Sequence, residues 1–460
     1  MKKMGHKRTL LAAAAILLLT ISIIGTAVFS TPSTIYAAAT ATPATAASCT
    51  DYESPVRTIR VICDTTFDQL EKDIGDPSVL ENLGNGEYLL SANIEVEDFS
   101  KLTIASPAVT WLKISNKGGD STQYNILVRG YMDIDGVKVT SWDPDKNSVV
   151  EQDSKGSVPR PYIHYRAADG GIIRNSELAY IGSDGDIRRG LSLTRGSTNI
   201  EIRNSDFHHF WFAFYSNSAR NITIDGNRYH DNHKYAIDPH TGTRDMNITN
   251  NLVYDNAAIG IICSLDCRNI LIENNTIYNH TRNGINLSRN MHDSIVRNNT
   301  IYDTIRAIVI TESPDNKLYD NVIFNVSDGF YLVHPSPPVD GLTTDNWIYN
   351  NTIKNANRGI VSHRAYDNIF SNNTFENITT SEYHLAGGAK LEIEGQRFTD
   401  DAISGGSGAN IVTISDSGSI LVDLEAGNHN TDANSYTARL SDETLTVEST
   451  HEILPVIPWP

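Results

Sequence analysis

The chain has 460 residues, with 55 acidic and 37 basic side chains and a formal net charge of -18 at pH 7. This balance excludes nucleic acid as a general partner, because binding to phosphates needs a basic face. It leaves room for an anionic ligand that is held by a local column of cations.

Residues 1–39 have the composition of a signal peptide. A basic stretch over residues 2–8 precedes an apolar run over residues 10–29, and three alanines follow at positions 37–39. The pattern predicts a secretory signal cleaved near residue 39, with an uncleaved membrane anchor as the alternative. We therefore expect the mature protein to be secreted, periplasmic or on the cell surface, with no other membrane contact.

Residues 40–63 are predicted to form a linker and an N-terminal cap. Two of the four cysteines, Cys49 and Cys63, lie at its end, and the other two, Cys263 and Cys267, lie within "CSLDC". The extracellular context favours two local disulfides, Cys49–Cys63 and Cys263–Cys267. A metal site is the alternative for the second pair, but no histidine or further cysteine pair lies nearby in the sequence.

Asparagine recurs through the middle of the chain, in segments such as "TIDGNRYHD", "NITNNLVYD" and "LIENNTIYN". It stands at Asn175, Asn204, Asn227, Asn251, Asn275, Asn299, Asn321, Asn351 and Asn373, at steps of 22 to 30 residues. Each unit contains short alternating runs and bends without helical periodicity, which indicates one coil of a β-solenoid. We predict an all-β protein with a right-handed parallel β-helix over residues 64–383, in which the asparagines form ladders.

The segment "KYAIDPHTGTRD" places a proline in a predicted strand of this repeat. Ile237 and Pro239 alternate with Asp238 and His240, so one pair points inward and the other outward. Proline donates no hydrogen bond to the ladder, but its fixed φ makes a rigid spacer. The pattern therefore predicts that Asp238 and His240 stand outward in a pre-organised arrangement.

Stacking at a 24-residue step converts sequence offset into columns on the surface. Lys234 would stack over position 258, then over Arg282 and Arg306, with Arg289 nearby. The acidic protein would thus carry a basic stripe beside the outward Asp238. The alternative interpretation is a chance alignment of solvated charges.

Aromatic residues lie one coil before the motif. Phe212 and Tyr215 would stack above Tyr235 and Asp238, and Trp211 directly precedes Phe212. Aromatic faces of this kind suit stacking on sugars, although ordinary packing explains each one equally well. We predict that these three residues, together with Lys234 and Arg306, bind substrate.

Residues 384–460 depart from the repeat. Short alternating runs such as "NIVTISDSG" are separated by small and polar residues. We expect a β-rich C-terminal extension or cap.

The central motif resembles that of the mannuronan C5-epimerases. "YAIDPHTGTRD" matches the Tyr-x-x-Asp-Pro-His motif of bacterial and algal members, and "AIGIICSLDC" and "GINLSRNMHDS" are similar to the two coils that follow it. The resemblance spans residues 86–334. It implies removal of the C5 proton of a mannuronate residue within a polyuronate chain, followed by reprotonation from the opposite face.

The resemblance implies that Asp238 belongs to the site, that His240 is the base and that Tyr235 is the opposite-face acid. A cation must neutralise the substrate carboxylate, but the position at which the periplasmic members carry an arginine is Leu265 here. Arg282 or Arg289 is our candidate from the columns. No GGxGxD repeats of the calcium-dependent members are present, so we predict neither metal nor cofactor, and we expect a monomer.

Two other functions remain open at this point. A polysaccharide lyase acting on alginate or pectate begins with the same deprotonation, and a non-catalytic surface β-helix would only bind carbohydrate. The motif favours the epimerase over both.

Overall fold

The computed structural model describes residues 48–116, 123–335, 337, 340–386, 390–394, 403–405, 410–415, 437–441 and 444–449. The predicted signal segment and residues 40–47 of the predicted linker and cap lie outside these residues. Among the residues described, no helix is long and apolar enough to cross a membrane.

Short strands make up almost all of the regular structure. The first part of the chain contains β1 (Thr50–Glu53), a 3-10 turn (Ser54–Val56), β2 (Thr58–Val61), β3 (Thr65–Thr66), α1 (Phe67–Ile74), β4 (Leu80–Gly84), β5 (Glu87–Leu90), β6 (Asn93–Val96), β7 (Lys101–Ala105), β8 (Trp111–Ser115), β9 (Asn125–Val128), β10 (Tyr131–Asp135) and β11 (Lys138–Trp142).

The middle part contains β12 (Tyr162–Arg166), β13 (Gly170–Arg174), β14 (Glu177–Ala179), β15 (Gly190–Thr194), β16 (Thr198–Arg203), β17 (Asp206–His208), β18 (Phe212–Asn217), β19 (Arg220–Asp225), β20 (Arg228–His230), β21 (Ile237–His240), β22 (Arg244–Thr249), β23 (Leu252–Tyr254), β24 (Ile259–Ser264), β25 (Arg268–Glu273), β26 (Thr276–Tyr278), β27 (Asn283–Ser288) and β28 (Ile295–Arg297).

The last part contains β29 (Thr300–Thr311), β30 (Lys317–Tyr319), β31 (Val322–Val333), β32 (Trp347–Tyr349), β33 (Thr352–His363), β34 (Asn368–Ser371), β35 (Thr374–Ala386), β36 (Lys390–Glu394), β37 (Ile403–Gly405), β38 (Asn410–Ser415), β39 (Thr437–Ser441) and β40 (Thr444–Ser449).

The strands stack in parallel on three faces, which makes the fold the predicted parallel β-helix. The first face is the stack β2, β6, β9, β12, β15, β18, β21, β24 and β27, continued by the C-terminal halves of β29, β31, β33 and β35. The second face runs from β3 through β7, β10 and β13 to β38. The third face runs from β5 through β8, β11 and β14 to the N-terminal halves of the long strands.

Columns of branched apolar residues fill the lumen. On the first face Ile261 pairs with Ile285, which pairs with Ile308, and all three are fully buried. Burying one such side chain stabilises the fold by about 2 kcal/mol relative to leaving it in water. The period-two alternation in the sequence therefore sets which residues fill the lumen and which remain on the surface.

The predicted asparagine ladder is present from Asn227 to Asn373. Within it, the backbone and side-chain amides of Asn251 both donate to Asn275 Oδ1, at 3.0 Å each. The prediction is wrong for Asn175 and Asn204, which lie in left-handed turns on the surface. Serines one residue further along take the ladder position in those two coils, because the sequence repeat aligned the asparagines one residue too early.

The N-terminal end of the lumen is covered by α1, whose Phe67 and Leu70 are fully buried. The predicted disulfide Cys49–Cys63 is present and ties this cap together. The predicted disulfide Cys263–Cys267 is wrong, because both cysteines are free and fully buried.

Cys263 occupies a lumen position opposite Leu287, so it packs as a small apolar residue. The thiol of Cys267 contacts the Ser264 carbonyl oxygen at 3.6 Å. Burial raises the pKa of the Cys263 thiol well above its usual value, which keeps it protonated and unreactive.

Parallel stacking continues beyond residue 383, where the sequence analysis ended the solenoid. Strand β36 pairs with β34, β37 pairs with β35, and β38 pairs with β36. Strand β40 then pairs antiparallel with both β38 and β39. The described part of the predicted extension thus begins as a further coil and ends in antiparallel strands.

Candidate active site

Strand β21 carries the motif on the first face. Ile237 is in the apolar core, while Asp238 pairs in register with Tyr215 and His240 with Asn217 of the preceding coil. Toward the next coil, register partners exist only at Ile237 and His240. Pro239 therefore interrupts the ladder on this side, as its missing N–H predicts.

His240 is held as a neutral imidazole. Its Nδ1 lies 2.6 Å from Thr241 Oγ1, and its Nε2 lies 3.0 Å from Arg289 Nη2. Because a guanidinium only donates hydrogen bonds, Nε2 must be the acceptor, and the ring proton is on Nδ1. Burial, followed by the charges of Arg289 and Arg189, lowers the pKa of His240 to about 4. Burial and the two arginines act on this pKa in the same direction.

Arg289 reaches His240 from the coil two turns further along the helix. Its Nε donates to Ser264 Oγ at 3.1 Å and lies 3.8 Å from Asp340 Oδ2. The Ser264 hydroxyl thus helps to position the guanidinium beside the imidazole. Of the two candidate arginines, Arg289 is the one that contacts the predicted base.

Asp238 is a buried carboxyl group with an incomplete set of partners. It is 1% exposed; Oδ2 lies 3.4 Å from Arg189 Nη1, and Oδ1 has no hydrogen-bond partner in the described part of the chain. Burial raises the pKa of Asp238 to about 8 and outweighs the opposing effect of Arg189 and Arg289. At neutral pH this carboxyl group therefore largely keeps its proton.

Arg189 is a site residue that the sequence analysis missed. It lies directly before β15, and its guanidinium carbon stands 4.2 Å from the ring centre of Tyr215 and 4.5 Å from that of Phe212. Its backbone carbonyl accepts the Phe212 N–H at 2.9 Å, which anchors the loop to the motif's neighbouring coil. A signal was present in "DIRRG", but Arg189 lies 49 residues and two coils before Asp238, whereas the sequence analysis considered only one coil upstream of the motif.

Tyr235 lies in the turn that leads into β21. Its ring meets Phe212 edge-on at 5.1 Å and packs beside Ile259 and Ile262. Burial and the nearby Asp238 raise the pKa of Tyr235, while Arg282 and Arg189 oppose the shift. The phenol is therefore protonated at neutral pH and can donate a proton.

The predicted basic stripe is only partly assembled. Lys234 and Arg282 are exposed, and the Lys234 ammonium stands 5.2 Å from the Trp211 ring centre. Arg306 pairs in register with Asn283, not with Arg282, because the coil here advances 23 residues. The continuous column predicted from the 24-residue step is thus wrong at its last member.

Arg306 is also occupied by other contacts. Its Nε pairs with Asp328 Oδ2 at 3.2 Å, and its guanidinium lies 3.7 Å from the Tyr331 ring centre.

The three aromatic residues predicted to stack on sugars are buried. Trp211 is 3% exposed, and its ring is in close contact with Gly156, so little of its face is left for a ligand. Phe212 and Tyr215 instead support Arg189. The burial of all three rings favours packing over sugar stacking, the alternative that the sequence analysis left open.

The assembled groups suit abstraction of a proton next to a carboxylate. A neutral imidazole can accept the proton, two guanidinium groups can stabilise the negative charge that develops, and a phenol can return a proton. Among the residues described, no three His, Cys, Asp or Glu side chains are grouped to hold a metal ion. The guanidinium groups of Arg189 and Arg289 lie close enough to Asp238 and His240 to supply positive charge for this chemistry.

Comparison with known proteins agrees with this architecture. Mannuronan C5-epimerases of Pseudomonas syringae pv. tomato and Pseudomonas fluorescens are each 28% identical, over 172 and 143 residues. These matches cover 35% and 28% of this chain and only 31% and 26% of the relatives, so the chain spans less than a third of their length.

A structural relative extends the comparison. The crystal structure of the periplasmic alginate epimerase AlgG superimposes with a TM-score of 0.58 at 22% identity, covering 77% of this chain and 81% of that one. The family described as the right-handed beta helix region matches residues 133–301 and 262–400, which is more than half of the chain. The chain therefore belongs to the family of right-handed β-helix proteins, as the repeat predicted.

Proposed function

We propose that the protein is a C5-epimerase that converts mannuronate to guluronate within an alginate-like polyuronate. The contact between Arg289 and His240 carries the proposal, because it puts a carboxylate-binding cation beside a neutral imidazole. The similarity to mannuronan C5-epimerases supports the same substrate class.

Substrate binding would rearrange this contact. A uronate carboxylate is a better partner for Arg289 than a neutral imidazole is, since charge-assisted hydrogen bonds are the stronger ones. Once the guanidinium pairs with the carboxylate, His240 Nε2 is free to take the C5 proton. The same pairing neutralises the carboxylate and so lowers the barrier to forming the enolate-like intermediate.

Asp238 and Tyr235 complete the proposed reaction. The protonated Asp238 can donate a hydrogen bond to the substrate carboxylate next to Arg189. Tyr235 returns a proton to C5 from the opposite face, which inverts the centre. The arginines supply the positive charge in this scheme, so we propose that activity needs no metal or cofactor and survives treatment with EDTA.

The proposed setting is outside the cytoplasm. The predicted signal segment supports a secreted, periplasmic or surface location, and the AlgG relative is a periplasmic alginate epimerase. We propose a monomer acting on a soluble or surface-attached anionic polysaccharide.

The experiment is proton NMR of polymannuronate incubated with the purified protein in D2O. The expected result is guluronate signals with deuterium at C5. A rise in ultraviolet absorbance from unsaturated ends would instead identify a lyase. If the C5 hydrogen does not exchange and the absorbance does not rise, the protein only binds carbohydrate.

His240→Asn provides the matched variant for this assay. Loss of a catalytic base should reduce C5 exchange about a hundred-fold or more while the fold stays intact. If the folded variant exchanged C5 hydrogen at the normal rate, the base would have to be Tyr235.

A further inference from the structure

A cavity opens on the first face, on the N-terminal side of the candidate site. It has a volume of about 600 Å³. Its lining includes Asn125, Tyr162, His164, Arg166, Arg195 and Asn217. Apart from Asn217, which pairs in register with His240, none of these residues belongs to the site described above.

Strand register connects the cavity to the predicted base. Arg166 pairs with Thr194, Thr194 with Asn217, and Asn217 with His240. These four residues form one column across β12, β15, β18 and β21. With neighbouring strands about 4.8 Å apart, Arg166 stands roughly 14 Å from His240 along the helix axis.

The cavity has an excess of positive charge. Within the described residues, neither Arg166 nor Arg195 forms an ion pair. Arginines on the C-terminal side of the site differ, since Arg306 and Arg358 both pair with Asp328 at 3.2 and 2.8 Å. In a protein of net charge -18, two unpaired cations at one cavity mark a place where an anion would be stabilised.

His164 is a buried polar group at the wall of this cavity. It is 5% exposed, and its Nε2 lies 2.8 Å from Thr194 Oγ1. Burial and the charges of Arg166 and Arg195 lower the pKa of His164, so the imidazole is neutral at physiological pH. The anion's charge must therefore be balanced by the two arginines, while Tyr162, Asn125 and Asn217 offer hydroxyl and amide groups to a sugar.

We propose that this cavity is a subsite for the carboxylate of a uronate residue in the same polymer chain, about three residues away from the reacting sugar. The proposal rests on the proposed function, because it takes its ligand from that reaction. The strand spacing is close to the length of one sugar in an extended polysaccharide, so the number of strand steps gives the number of sugar residues between the two places. The chain would then lie along the helix axis, with its anchored part toward the N-terminal end.

Direct binding of polymannuronate to the inactive His240→Asn protein tests the subsite by isothermal titration calorimetry at low salt. Arg166→Gln combined with Arg195→Gln removes both charges and should weaken binding at least tenfold. Arg220→Gln is the matched control, because Arg220 is exposed on the second face and should leave binding unchanged. Uncharged mannan should not bind.

Normal binding by the folded double variant would overturn the subsite, and so would equal binding of mannan or no binding of polymannuronate at all. A second measurement uses mannuronate oligomers of defined length with active protein. On long oligomers the double variant should raise KM several-fold with little change in kcat. On dimers, which cannot span both places, it should match the unmodified protein.

The two measurements separate this subsite from the proposed function. If the unmodified protein binds polymannuronate through Arg166 and Arg195 but does not epimerise it, the subsite stands and the epimerase proposal fails. If it epimerises and the double variant behaves normally in both assays, only the subsite fails. Equal losses on every oligomer length would also reject the subsite, since they would indicate damage to the catalytic coil.

Discussion

Arg289 Nη2 lies 3.0 Å from His240 Nε2, so the guanidinium occupies the lone pair that a general base needs. The resting site thus holds its base in a blocked, unprotonated form. A substrate carboxylate that attracts Arg289 would unblock it. In the proposed reaction this relationship would couple substrate binding to activation of the base, which makes Arg289 the first residue to test.

Replacing Arg289 with Gln should reduce kcat/KM about a hundred-fold, or roughly 3 kcal/mol in barrier, because the carboxylate is no longer neutralised. The pH profile should also change. Arg289 helps to lower the pKa of His240 to about 4, so its removal raises that pKa. Since protonated His240 cannot accept a proton, the acid limb of kcat/KM should move to higher pH.

Arg282→Gln is the control for this prediction, because Arg282 is exposed and does not contact His240. It should change kcat/KM by only a few fold and leave the acid limb in place. The opposite outcome is that Arg289→Gln keeps the normal kcat/KM and acid limb while Arg282→Gln loses activity. That outcome would assign carboxylate neutralisation to Arg282 and not to Arg289.

Asp238→Asn should retain far more activity than Asp238→Ala. Burial raises the pKa of Asp238 to about 8, so the group acts as a neutral hydrogen-bond donor at pH 7, and an amide of the same shape can replace it. In the unmodified protein, activity should fall as pH rises through about 8 and the carboxyl ionises. That basic limb should disappear in Asp238→Asn.

The measurement is kcat/KM from pH 5 to 9.5 for both variants. Equal inactivation of the folded Asn and Ala variants would show that the ionised carboxylate is required, which would reverse the role assigned here. Circular dichroism of each variant controls for folding.

Asn275→Ala should lower the free energy of unfolding by about 4 kcal/mol. Its Nδ2 donates to the Ile248 carbonyl and to Asn299 Oδ1, and its own Oδ1 accepts two N–H groups of Asn251. Each lost hydrogen bond costs about 1 kcal/mol, and buried donors without partners add to this. Asn357→Ala, at an exposed strand position, should cost less than about 0.5 kcal/mol. Urea denaturation of both variants checks the difference.

When the protein is unfolded in the absence of reductant, two thiols should react with a thiol reagent, and in the native protein these thiols should be protected. Cys263 and Cys267 are free and fully buried, whereas Cys49 and Cys63 form a disulfide. The native protein should therefore show almost no reaction. If no thiol reacted after unfolding, Cys263 and Cys267 would form a disulfide after all. If four thiols reacted, the Cys49–Cys63 disulfide would be absent.

Sequence was sufficient for the fold and for the central motif. Each stacked coil has an equivalent position at which a side chain can hydrogen-bond to the next coil, and asparagine recurs at that position. The asparagines therefore recur in the sequence at a near-constant step. Within one strand, alternation alone places Asp238 and His240 on the same side, and the fixed φ of Pro239 needs no tertiary information. The match of this segment to an epimerase motif added Tyr235.

Tertiary structure decided which other groups meet that motif and how they titrate. Arg189 is held by the rings of Phe212 and Tyr215 so that it reaches Asp238 from two coils away, and Arg306 lies one residue off its predicted column because that coil advances 23 residues. The pKa values of His240 and Asp238 depend on burial by neighbouring coils, which no single segment encodes. In a solenoid, local periodicity determines where each strand goes, but insertions between strands determine which side chains come together.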